Sequence, residues 1–113
     1  MLFLMENPAD PTPIYSSLAN DADFLDLVEM YVEDVPDFIQ NLTDASTRQA
    51  WDEVASVAHQ IKGSAGGHGY DQVSESASRL DQACKDAASV NEILMHLHDL
   101  VGLLKRIRVS PNS

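Results

Sequence analysis

Cysteine and positive charge are both scarce in this 113-residue chain. Its one cysteine, Cys84, excludes an internal disulfide and fits a reducing, intracellular compartment, where it serves as a small core residue. Seven Lys and Arg stand against 18 Asp and Glu, a formal net charge of −11. Nucleic acid needs Lys and Arg to neutralise its phosphates, and anionic membrane surfaces make the same demand, so neither is expected as a partner. The apolar opening Met1-Leu2-Phe3-Leu4-Met5 is too short for a signal sequence, has no basic start and runs straight into Glu6, Asn7 and Pro8. A cytoplasmic protein is expected. No stretch alternates with period two over a useful length, and there is no internal repeat or low-complexity tract.

The length and apolar fraction that remain suit one globular domain with one core. Pro8, Pro11 and Pro13 make residues 1–13 a flexible N-terminal segment, the domain spans 14–109, and 110–113 form a C-terminal tail. Ile14, Tyr15 and Leu18 fit one short helical turn. Asn20 is placed to cap a helix in which Phe24, Leu27, Tyr31, Val35, Phe38, Leu42 and Ala45 recur at three and four, with Pro36 expected to kink or break it. Thr47 is the expected N-cap of a second helix, with the apolar stripe Trp51, Val54, Ala58, Ile61 and Ala65, fading out in Gly66-Gly67-His68-Gly69. A third helix, about Asp71 to Ala88, carries Val73, Ala77, Leu80, Cys84 and Ala87. Ser89 and Glu92 form a capping box for a fourth, with a seam of Ile93, Leu97, Leu100, Leu104 and Ile107, and Lys105, Arg106 and Arg108 near its negative end. Short connections make the economical fold all-α: an antiparallel four-helix bundle with a short N-terminal helical addition.

The informative run is Ala58-His59-Gln60-Ile61-Lys62-Gly63-Ser64-Ala65-Gly66-Gly67. At about 100° per residue, His59 lies roughly 115° from the centre of its helix's apolar stripe and is expected to be at least partly exposed. The residues nearest it in angle, among them Ala55, Ser56, Gly63 and Gly66, are mostly small, so the ring stands in a clearing. Lys62 at i+3 can reach an anion held on the ring, and Gly63 at i+4 leaves space beside it. Each glycine inside a helix costs about 1 kcal/mol relative to alanine, so something other than helix stability selects them. Taken singly, His59, Lys62 and the glycines are ordinary surface and helix-stop residues; the combination is specific.

The pattern H-x-x-K-G-S-A followed by glycine, met by His59, Lys62, Gly63, Ser64, Ala65 and Gly69, resembles the histidine-containing phosphotransfer (HPt) domains of multistep phosphorelays. The likeness runs from about Ile14 to Val109 in helix order and in the placement of the motif. It implies that His59 accepts a phosphoryl group from the aspartyl phosphate of a response-regulator receiver domain and passes it to another receiver, in a pathway fed by a hybrid histidine kinase. The chain is then a phosphocarrier rather than an enzyme and is expected to be a monomer without an intrinsic cofactor, the Mg²⁺ belonging to the receiver. In that family the exposed Nε2 is the nucleophile, which requires the proton on Nδ1 and an acceptor facing it. Asp81 falls where HPt domains commonly carry glutamate or glutamine; its other reading is a solvated helix acid paired with Lys85 at i+4. Lys62 would offset charge on the phosphoryl oxygens.

Four rivals fit less well. A histidine-kinase dimerisation domain usually has an acidic residue after its histidine and a proline about a turn later, whereas Gln60 and Gly63 stand here; a fragment of a hybrid kinase is a related alternative. A glycine-rich phosphate loop over Gly63 to Gly69 lacks the preceding strand. A metal bundle using His59, His68, His96 and His98 is disfavoured because His96 and His98 point to different faces of one helix. A helical interaction module without phosphotransfer is opposed by the intact His59, Lys62 and Gly63.

Overall fold

The computed structural model describes residues 12–111, so the N-terminal segment expected to be flexible lies almost wholly outside the described residues, as does the end of the tail. The order is β1 (Ile14–Tyr15), α1 (Ala22–Thr47), α2 (Trp51–Gly67), α3 (Asp71–Lys85), α4 (Val90–Leu104) and β2 (Ile107–Arg108). The connections between helices are too short for anything but reversal of direction, and the four helices form the expected bundle. Val28, Leu42, Val54, Ile61, Leu80, Leu100 and Leu104 fill its core, with Ala58, Ala65 and Ala77 letting α2 approach α3 closely. Ser74 on α3 fastens this contact by donating to the carbonyl of Lys62 at 2.7 Å.

Several boundaries differ from the sequence expectation. Ile14 and Tyr15 are a strand, not a helical turn. They pair in parallel with Ile107 and Arg108, so that Ile107 leaves the α4 seam and α4 ends at Leu104. Two residues are too short for a period-two signal; the pairing arises because the bundle brings the two chain ends together. Ser16 then latches this edge to the α2–α3 turn, its hydroxyl donating to the His68 carbonyl at 2.6 Å while Ser17 N–H donates to Gly69 O at 2.9 Å. Gly69 has φ +86, and a Cβ there would collide with Ser16 and the Ser17 backbone, so only glycine closes the latch.

Asp21, not Asn20, caps α1 by accepting from Asp23 N–H at 3.0 Å. Helix α1 continues through Pro36, which is exposed and has no N–H to donate to the Val32 carbonyl. Thr47 is the last residue of α1 rather than a cap of α2, its hydroxyl turned back to Thr43 O at 2.9 Å. The chain reverses through Gln49 at φ 56, and α2 starts from Ala50 with no side-chain cap. Helix α3 ends at Lys85, short of Ala88, because Ala87 takes φ 54. Ser89 caps α4 as expected, accepting from Glu92 N–H at 3.1 Å.

In the first turns of α1 the buried line runs through Val28 and Tyr31, while Phe24 and Leu27 are 40% and 50% exposed. Both Leu27 and Val28 satisfy helical spacing to Tyr31, and the inward slot goes to the valine. Among the described residues, no helix is long and apolar enough to cross a membrane.

Candidate functional site

Helix α2 carries its apolar stripe inward through Val54, Ala58, Ile61 and Ala65, all fully buried, and this alone turns His59 outward. The His59 side chain is 65% exposed. Its Nδ1 lies 3.2 Å from Oδ2 of Asp81 on α3, at the long end of hydrogen-bond range. Asp81 follows the buried Leu80 and is itself only 5% exposed at its side chain, so the carboxylate is fixed against the bundle with one oxygen aimed at the ring.

The electrostatics of this contact set the tautomer. Burial is the largest influence on Asp81 and pushes its carboxyl up, but hydrogen bonds from His59 and from Lys85 Nζ at 3.1 Å outweigh it and hold the group below its ordinary value. An ionised carboxylate only accepts, so the ring donates Nδ1–H. Nε2 of the neutral ring then carries a free lone pair on the solvent side.

Lys62 and Gly63 are exposed on the same helix, three and four residues on, hence one turn from His59. A Cβ built on Gly63 meets nothing within 4 Å, and the same holds at Gly67, so the approach to the ring along α2 is open. Ser64 faces elsewhere: its hydroxyl meets the Tyr31 hydroxyl at 2.9 Å and ties α1 to α2. His68 stacks on the Tyr31 ring, centroids 4.3 Å apart, and donates from Nδ1 to the Ser64 carbonyl at 2.6 Å. His96 and His98 lie on α4, apart from this cluster. Among the described residues no three His, Cys, Asp or Glu side chains converge on a point that would hold a metal ion.

Two features are added by the structure. Lys85 joins the cluster, although its i+4 spacing alone makes it only the other claimant on Asp81. Phe24, Leu27 and Met30, 40–61% exposed, form an apolar stripe on α1. Thr43 and Ser46 face the α1–α4 groove, and at helical periodicity Leu27 and Met30 lie on the other side of Tyr31, the side of α2. Periodicity alone places Phe24 and Leu27 in the core, and only packing reveals the stripe.

Comparison with curated proteins and with solved structures gave no match. The Hpt domain family model matches residues 26–108, which takes in all four helices apart from the first turn of α1 and includes His59, Lys62, Gly63 and Asp81. The chain therefore belongs to the Hpt domain family, the phosphotransfer modules of two-component signalling.

Proposed function

We propose that this protein shuttles a phosphoryl group on Nε2 of His59 between the aspartates of two receiver domains in a multistep phosphorelay. The observation that carries this reading is the exposed ring with Nδ1 held by a buried carboxylate. Neutral His59 attacks the phosphorus of the receiver's aspartyl phosphate with its Nε2 lone pair; the N–P bond forms as the P–O bond to the receiver aspartate breaks, and that aspartate leaves as carboxylate. The ring becomes cationic while keeping Nδ1–H on Asp81, so no proton has to leave. Attack by the second receiver's aspartate breaks the N–P bond and returns the ring to its neutral form.

Lys62 supplies positive charge to the phosphoryl oxygens, in a chain where lysine is rare and the net charge is −11. Gly63 gives the receiver room to reach Nε2. Leu27 and Met30 support a docking face on the α2 side of α1, with exposed apolar area that a receiver would cover. Mg²⁺ and most of the transition-state stabilisation belong to the receiver in this reading. The carrier acts in the cytoplasm as a monomer, downstream of a hybrid histidine kinase.

The test is a two-step transfer with purified proteins. A receiver phosphorylated with labelled phosphate is mixed with this chain, the labelled chain is isolated, and a second receiver is added. Label passing onto this chain and off again supports the carrier role. A chain that binds receivers but takes no label is an interaction module.

A further inference from the structure

Asp81 is not a private partner of His59. Its Oδ2 accepts two donors, His59 Nδ1 at 3.2 Å and Lys85 Nζ at 3.1 Å, while its buried Oδ1 has no hydrogen-bond partner among the described residues. The three groups border a depression of about 520 Å³ whose walls also include Asp52, Ser56 and Gln60. The charged groups facing it are thus Asp52 from α2 and Asp81 and Lys85 from α3, with Lys62 a turn along α2; among the described residues α1 and α4 contribute nothing to the lining.

We propose that Lys85 is a positioning residue for phosphotransfer, sharing Oδ2 of Asp81 with His59 so that the carboxylate orients the ring without overcharging it. The proposal rests on reading His59 as the phosphoryl carrier. A lone ionised carboxylate at this distance has two effects that oppose each other. It selects the Nδ1–H tautomer, which transfer needs, and it also favours the imidazolium, which has protons on both nitrogens and no lone pair with which to attack. A second cation on the same oxygen takes up part of the negative charge while leaving the geometry in place. The i, i+4 spacing on α3 puts Lys85 there, and its 56% exposure keeps the effect moderate through solvent screening.

The experiment is a ¹⁵N NMR titration of the His59 ring in the parent, Lys85→Met, Lys85→Arg, Asp81→Asn and the Asp81→Asn/Lys85→Met double variant, with circular dichroism to confirm the fold. Lys85→Met is expected to raise the ring's titration midpoint by about half a pH unit, and Lys85→Arg to restore it. In the Asp81→Asn background the Lys85→Met shift should fall to less than half, because the effect passes through the carboxylate. Acceptance of phosphate by Lys85→Met, measured about one pH unit below the parental midpoint, should drop about threefold and converge with the parent at high pH. An unchanged midpoint, a lowered one, or equal shifts in both backgrounds would overturn the proposal. The titration needs no receiver, so a parent protein that accepts no phosphate would overturn the carrier reading while the ring titration still decides the role of Lys85.

Discussion

Gly63 sets helix stability against function, and the size of both effects follows from its surroundings. It lies inside α2, and a Cβ built on it meets nothing within 4 Å. Gly63→Ala therefore loses no packing and gains the helix preference of alanine, about 1 kcal/mol. For a domain of this size that gain raises Tm by about 4–8 °C. Gly63→Gln keeps most of the gain, since glutamine is also a good helix former, but places a long side chain one turn from His59, where Cβ atoms lie about 5–6 Å apart. Receiver-to-His59 transfer should then fall by tenfold or more while the melt rises. Gly102 is the control: it sits in α4, a Cβ there also meets nothing within 4 Å, and Gly102→Ala should raise Tm similarly with parental transfer. The assay pairs thermal melts with single-turnover transfer on all three variants. A Gly63→Gln protein transferring at the parental rate would show that the clearing is incidental, and a destabilised Gly63→Ala would refute the open-space argument.

Lys62→Ala should slow transfer or shorten the phosphohistidine lifetime while receiver affinity, measured by calorimetry, stays unchanged. Leu27→Asp should weaken receiver binding with a stability change of only about 0.5 kcal/mol, whereas Leu42→Ala, fully buried, should cost about 2–5 kcal/mol in denaturant melts. Because the Asp81 carboxyl is held below its ordinary 3.8, its contribution to stability is present above that value and lost as pH falls through the lower folded value; acid titration of Asp81→Asn should lack that component. Burial pushes the Tyr70 phenol up from 10.0 to about 12, so its contribution is complete below 10 and lost as pH rises towards 12, and Tyr70→Phe should flatten that alkaline loss.

The helices are legible in the sequence because their burial is periodic: Val54, Ala58, Ile61 and Ala65 alone fix which way His59 points. The chain ends are not, since β1 and β2 are two residues each and owe their pairing to the assembled bundle. Leu27 and Val28 have equal claim to the inward slot in a one-dimensional pattern, and only α2 and α4 packing on α1 decides between them. At the site, spacing within α2 is enough to relate His59, Lys62 and Gly63. Whether Asp81 faces His59 or Lys85 is a question between helices that spacing cannot answer; the geometry has it touching both through one oxygen. The propensity-based caps at Asn20 and Thr47 fall one residue or one helix astray because Asp21 competes for the first role and α1 runs on through the second.

If phosphate travels on Nε2 of His59, ³¹P–¹⁵N correlation NMR on ring-labelled protein phosphorylated by a receiver will show it directly. The expected result is acid-labile, base-stable phosphate, absent from a folded His59→Gln variant, with phosphorus coupled to Nε2 and a proton retained on Nδ1 beside Asp81. Phosphorus coupled to Nδ1, or label on His68 or any other residue, would contradict it.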